Sequence, residues 1–121
     1  MKIKILKSFI KHTTTSISLK IHGIIKKRNE EFLTMILIEN QLLYLLEDNK
    51  MVAYISFPKV DANKVNITHT YTHPSRRGEG IAKEMMDVLY DHLKENNLKA
   101  TLSCSYAVFY FNRHQEKRDV L

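Results

Sequence analysis

The sequence predicts one small α/β domain, and three features between residues 64 and 105 carry that prediction. Val65, Ile67 and His69 alternate with Asn66, Thr68 and Thr70, the period of a half-buried strand. From Gly80 the period becomes helical, with Ile81, Met85, Leu89 and Leu93 on one stripe. Leu98, Ala100, Leu102 and Cys104 then alternate with Lys99, Thr101 and Ser103, a second strand. Strand, glycine turn, helix and strand suit a parallel pair joined by a helical crossover. At 121 residues the chain has room for one such domain and little more.

The remaining elements follow in order. Gln41 to Glu47 is an apolar run compatible with helix or strand. Asp48-Asn49-Lys50 is a turn signal, and Val52, Tyr54, Ile55 and Phe57 lie just beyond it, so the two runs read as a hairpin. Pro58 ends the second run, Asp61-Ala62-Asn63 marks a further turn, and His73-Pro74-Ser75 closes the strand that follows. On the helix, Ala82, Met86 and Val88 widen the apolar stripe, and Lys83–Asp87 is an opposite-charge pair at i,i+4. Asn96-Asn97 supplies its stop. Tyr106 to Phe111 reads as a helical turn packed on the sheet, and Gln115 to Asp119 as a polar tail.

Composition excludes several classes. A single cysteine leaves no disulfide framework within the chain and no multi-cysteine zinc site, and a reducing, cytoplasmic setting is the simplest reading. No apolar run approaches the ~18 residues of a membrane span, so no membrane partner is expected. The net charge of +6 lies wholly in residues 1–34, with eight basic and two acidic side chains, whereas 35–121 balances eleven against eleven. The domain proper has no electrostatic reason to seek nucleic acid.

The chain therefore divides into a basic N-terminal extension, 1–34, and a domain, 35–121. The extension has no acid before Glu30 and carries a hydroxyl-rich patch from Thr13 to Ser18. It reads as a solvated arm, as a targeting segment, or as a consequence of start-site choice, since Met35 opens the domain and Glu30-Glu31 suits a purine-rich ribosome-binding site.

The sharpest local signal is Arg76-Arg77-Gly78-Glu79-Gly80-Ile81-Ala82. Glycines at a helix start admit a ligand close to the backbone, unpaired N–H groups there favour an anion, and two arginines add charge. A glycine-capped surface turn is the plainer alternative. The turn is neither a Walker loop nor a full dinucleotide fingerprint, because it lacks Gly-Lys-Ser/Thr and a third glycine or alanine at the longer spacing.

Arg77-x-x-Gly80-x-Ala82 resembles the acyl-CoA pyrophosphate motif of the GNAT acetyltransferase superfamily. His69-Thr70-Tyr71 before it, and Ser103-Cys104-Ser105-Tyr106 after the helix, resemble the small GNAT-like family of bacterial YidJ-type and plant minimal acetyltransferases. The likeness runs over about 64–106, extends less sharply from 40 to the end, and leaves out 1–34. It implies a compact α/β fold, a mixed sheet with two splayed strands, a central helix that binds pyrophosphate, and acetyl-CoA in the splay. It implies N-acetyltransferase activity toward an amine acceptor, protein, peptide or small molecule, on an open, shallow face. A non-catalytic acyl-CoA-binding module is the alternative, and a nucleic-acid accessory protein using the basic arm is a third reading.

By the same resemblance, Arg76, Arg77, Gly78, Glu79, Gly80, Ile81, Ala82 and Tyr106 are the cofactor-binding candidates, and Cys104 and His69 the catalytic pair. Parallel pairing supports this, since it brings the ends of both strands to the edge that holds the glycine turn. Taken alone, a cysteine on an alternating strand is ordinarily a small buried apolar residue, and a histidine at a strand end is ordinarily structural. In direct transfer His69 takes the proton of the attacking amine, a backbone N–H in the splay holds the oxyanion, and Cys104 lines the thioester pocket or protonates the leaving thiolate. In the alternative scheme Cys104 is acetylated first. Tyr106 is either a further acid or a packing residue. His69 and His73 straddle a strand end and a proline turn, so no metal site is expected. His92 reads as a surface residue, and Tyr44, Tyr54, Phe57, Phe109, Tyr110 and Phe111 read as core.

Overall fold

The computed structural model describes Lys2–Lys4, Ile24–Lys26 and residues 33–121. The elements are β1 (Lys2–Lys4), β2 (Ile24–Lys26), β3 (Leu33–Glu39), β4 (Leu42–Glu47), β5 (Lys50–Ser56), β6 (Lys59–Asp61), β7 (Lys64–Ile67), β8 (His69–Thr72), α1 (Ile81–Glu95), β9 (Lys99–Leu102) and α2 (Ser105–Arg113). Of the N-terminal extension, β1 and β2 pair antiparallel with β3, at Ile36–Ile38 and Leu33–Met35 respectively. The hydroxyl-rich patch and the Glu30-Glu31 pair lie outside the described residues.

Strands β3, β4 and β5 form a meander. The hairpin expected at Asp48-Asn49 is present, and both residues adopt positive φ, 50° and 68°. Asn40 and Gln41 do the same between β3 and β4, at 52° and 70°. Two-residue loops of this hand match the twist of the flanking strands. The run from Leu42 to Glu47 is therefore strand, and Gln41 belongs to the loop before it. Alternation sends Leu43, Leu45, Ala53 and Ile55 to one face, where they meet Ile81, Met85, Met86, Leu89 and Leu93 of α1 in the buried core. The helix ends as expected, with Asn97 at φ 54° and Leu98 N–H donating to Leu93 O at 2.9 Å. The polar tail forms a 3-10 turn over Gln115–Val120, and its Val120 is buried.

One feature of the fold decides the site. Val65, Asn66 and Ile67 of β7 pair in parallel with Ala100, Thr101 and Leu102 of β9, as the sequence predicts. The strand does not end at His69, however. Thr68 N–H donates to Ser56 O at 2.9 Å, and His69 is also the register partner of Ser56. Two residues of one strand thus oppose one of its neighbour, which is a β-bulge. Beyond it the chain continues as β8, antiparallel to β5, through Thr72.

Four side-chain expectations change. Tyr44 and Tyr54, expected in the core, are half-buried register partners on the sheet face opposite α1, where alternation puts them, and Tyr54 stacks there on Tyr71 with ring centroids 5.4 Å apart. His92 is only 8% exposed, and it lies edge-on to Phe57 with ring centroids 5.8 Å apart. It sits one residue before Leu93 on the broad buried face of α1, so the helix carries a wider stripe than apolar residues alone define. Phe109, expected in the core, is 53% exposed. Tyr110 and Phe111 beside it turn inward, together with Ala107.

Candidate active site

The bulge resets which groups face which way. Before it, Ile67 O accepts from both Ser103 N–H (2.9 Å) and Cys104 N–H (3.1 Å), the last bonds between this strand and the β9 segment. After it, His73 N–H donates to Val52 O at 2.8 Å, so the odd-numbered residues of β8 bond to β5. Alternation then turns the main-chain groups of Thr70 and Thr72 toward the space that β9 has left. Thr72 O is met there by Arg77 Nε at 2.9 Å. The chain after β9 turns into α2 with Cys104 at its N-cap. The two strands splay, and a cleft opens between them.

Side chains are reset too. Without the bulge, Val65, Ile67 and His69 would share one face. With it, Thr70 and Thr72 join the face that carries Ile55 and Ala53, and His69 lies on the opposite face, paired with Ser56. The neighbour of Cys104 is accordingly Thr70, with Oγ1 3.7 Å from Sγ. His69 is exposed and places Nδ1 3.1 Å from Thr68 Oγ1. Cys104 is 9% exposed. The two catalytic candidates therefore stand on opposite faces at the cleft and not side by side.

The glycine turn forms a cradle at the mouth of this cleft. Pro74–Arg76 is a 3-10 turn capped by His73, whose Nδ1 accepts from Ser75 N–H at 3.1 Å. Gly78 and Gly80 have φ of 87° and 83°, a region costly for any residue with a Cβ. The helix begins with Glu84 N–H donating to Gly80 O, so the N–H groups of Ile81, Ala82 and Lys83 point out of its end. Thr72, Arg76, Arg77, Gly78, Gly80, Ile81, Ala82, Lys83 and Tyr106 enclose about 260 Å³. Seven of these lining residues are among the cofactor-binding candidates of the sequence, while Thr72 and Lys83 enter from positions that no motif marks.

The predicted cofactor-binding residues divide by what already holds them. Arg76 forms a two-pronged ion pair with Glu47, and its Nε donates to Glu79 Oε1 at 3.0 Å. The hydrogen bond to Glu47, opposed by burial and reinforced by Glu79, holds the guanidinium pKa above its ordinary value. Glu79 therefore serves the turn through Arg76. Among the described residues the Arg77 side chain has one partner, Thr72 O, met through Nε. Tyr106 is half-buried, and burial, then the charge of Asp87, raises its phenol pKa.

Asp87 ties the two helices together beside the cradle. It receives Tyr110 Oη, Lys83 Nζ (2.8 Å) and Lys117 Nζ (3.1 Å). Burial alone pushes its carboxyl pKa up, but hydrogen bonds from Lys83, Tyr110 and Lys117 outweigh this and bring it below the ordinary range. Burial, then the bond to Asp87, raises the Tyr110 phenol.

A splayed mixed sheet with a glycine-rich helix start above the splay is the arrangement of an acyl-CoA acyltransferase fold. A family model for GCN5-related N-acetyltransferases matches residues 42–120. The solution structure of a Staphylococcus aureus protein described as GCN5-like is similar at 31% identity and TM-score 0.55, over 70% of this chain and 84% of that one. A ribosomal-protein-alanine N-acetyltransferase from Brucella melitensis biovar Abortus 2308 matches at 29% identity and TM-score 0.47, over 52% of this chain and 49% of that one. No curated protein matches significantly. The chain belongs to the GCN5-related N-acetyltransferase family, whose members use acetyl-CoA as cosubstrate, and it is an acetyl-CoA-dependent N-acetyltransferase. Among the described residues no helix is long and apolar enough to cross a membrane.

Proposed function

We propose that the diphosphate of acetyl-CoA rests on the main-chain amides of Ile81, Ala82 and Lys83, with Arg77 beside it. The pantetheine arm runs into the cleft along the main-chain groups of Thr70 and Thr72. The observation that carries this reading is the Arg77 Nε bond to Thr72 O, which ties the cradle to the strand that lines the cleft. An anion at the helix start and an amide-bearing arm along an unpaired strand edge are each favourable for separate reasons.

The thioester then lies near Thr70 and Cys104, on the α1 side of the sheet, and the amine arrives from the face that carries His69. A neutral amine attacks the thioester carbon. The C–N bond forms, the tetrahedral oxyanion collapses, and the C–S bond breaks. His69 takes the ammonium or amine proton, directly or through water. The N–H of Thr70 faces the cleft and is the donor for the developing oxyanion. Cys104 protonates the departing thiolate. Placing base and thiol on opposite faces favours this direct transfer over an acetyl-cysteine, since His69 does not stand beside Cys104 to activate it. All of these groups lie within 35–121, and a reducing compartment suits the lone thiol.

The test is transfer from acetyl-CoA to a panel of amines, comprising peptide N-termini, lysine peptides, polyamines and small metabolites, followed by mass spectrometry and CoA release. The parent chain acetylates at least one class and is stabilised against heat by CoA but not by DNA. Parent rates in both Cys104→Ala and His69→Ala would remove the roles assigned to them.

A further inference from the structure

Beside the cradle lies a surface that the transfer scheme does not use. Tyr106 lines the cradle and approaches Phe109, one turn further along α2, with ring centroids 5.9 Å apart. Phe109 is 53% exposed, and Arg113 stacks on it with Cζ 5.4 Å from the ring centroid. Among the described residues Arg113 has no carboxylate partner, unlike Arg76 with two. The exposed ring and the guanidinium that no carboxylate neutralises together match a planar base bearing a phosphate.

We propose that Phe109 and Arg113 hold the nucleotide end of coenzyme A, with adenine stacked on Phe109 and the 3′-phosphate on Arg113. The inference rests on the cradle reading above. Its geometry follows from α2 running alongside α1, with Asp87 bonded to Tyr110, so the outer face of α2 leads away from the cradle mouth. Only a ribose separates the diphosphate from the base, a reach of about one helical turn, ~5.4 Å. Phe109 stands three residues beyond Tyr106, and Arg113 four beyond Phe109, one turn each. Arg113 thus distinguishes CoA from dephospho-CoA, and Phe109 distinguishes either from a pantetheine thioester.

The experiment measures dissociation constants of CoA, dephospho-CoA and acetyl-pantetheine for the full chain, Arg113→Gln and Phe109→Ala, with melting temperatures to show that both variants fold. The parent prefers CoA over dephospho-CoA by about tenfold, and Arg113→Gln reduces that preference to within about twofold while binding dephospho-CoA as before. Phe109→Ala weakens both nucleotides by about tenfold and leaves acetyl-pantetheine unchanged. A parent that binds CoA without this preference, or an unchanged preference in Arg113→Gln, overturns the 3′-phosphate assignment while the cradle reading stands. Unchanged CoA affinity in Phe109→Ala points to a protein partner for this apolar patch instead, and overturns the adenine assignment. A parent that binds none of the three removes the cradle reading and this proposal together.

Discussion

Thr70 Oγ1 and Cys104 Sγ meet at 3.7 Å across the cleft, although Thr70 belongs to the strand paired with β5 and Cys104 follows the strand paired with β7. The contact marks where the two sheets part. It puts the thiol at the closed end of the splay, next to the strand whose amides face inward. Cys104→Ala is expected to lower kcat by about a hundredfold. Its KM for acetyl-CoA is expected to change little, because in the proposed scheme the thiol meets the leaving group and not the diphosphate. Initial-rate patterns are sequential, and no acetyl group remains on Cys104 after quenching. Parallel lines with a trapped acetyl-cysteine would replace direct transfer by the two-step scheme.

Gly80 separates two effects of a side chain. Nothing lies within 4 Å of a Cβ built there, so steric clash within the protein is absent. Its φ of 83° still imposes strain on a β-branched residue, about 1–2 kcal/mol. Gly80→Val is expected to lose CoA binding because the new side chain fills the approach to the amides of α1, while the melting temperature falls by only a few degrees. Calorimetric titration beside a melting curve checks both, and parent-like CoA affinity would mean that the ligand lies elsewhere.

Arg76 and Arg77 are adjacent but do different work. Arg76→Gln breaks the pairs to Glu47 and Glu79, and the expected cost is stability, about 0.5–1 kcal/mol. Its CoA affinity stays within about twofold of the parent, since that guanidinium is already neutralised. Arg77→Gln is expected to weaken CoA by about tenfold with little change in melting temperature. Denaturant titration and ligand titration of the two variants make a crossed comparison, and the reverse pattern would exchange their roles.

Asp87 contributes stability with a defined sign in pH. Its folded pKa lies below the ordinary 3.8, so as pH falls the unfolded chain binds the proton first. The contribution is complete above about pH 4 and is lost as pH drops through the folded value. Asp87→Asn is expected to cost about 1–2 kcal/mol at neutral pH and to flatten the acid limb of a melting-temperature profile. An acid limb as steep as the parent's would assign the acid sensitivity to other carboxylates.

Much of this was legible in the residues. The helix at 81–95 follows from apolar spacing, the hairpin from Asp48-Asn49, and the cradle from two glycines ahead of a helix start, because each is a local consequence of side-chain period or backbone freedom. Pairing of Val65–Ile67 with Ala100–Leu102 was equally legible, since a parallel pair is the simple way to bury both alternating runs against one helix. The Thr70–Cys104 contact was not. Alternation from Val65 through Ile67 points to His69 as the residue beside Cys104, and no residue near Thr68 advertises a bulge. Nor was the exposure of Phe109 legible, because its neighbours Tyr110 and Phe111 are as apolar in sequence and differ only in which side of α2 faces the core.

The order of elements, the glycine turn and the helix that follows it were determined by the chain itself, through forces that act within a few residues. Which face His69 takes, which residue meets Cys104, and which arginine is free to meet a phosphate were decided only in three dimensions. The physical reason is that one extra residue opposite Ser56 reverses the side-chain phase of everything after it. That choice is made by pairing with a strand about fifteen residues away, a distance at which local sequence no longer speaks.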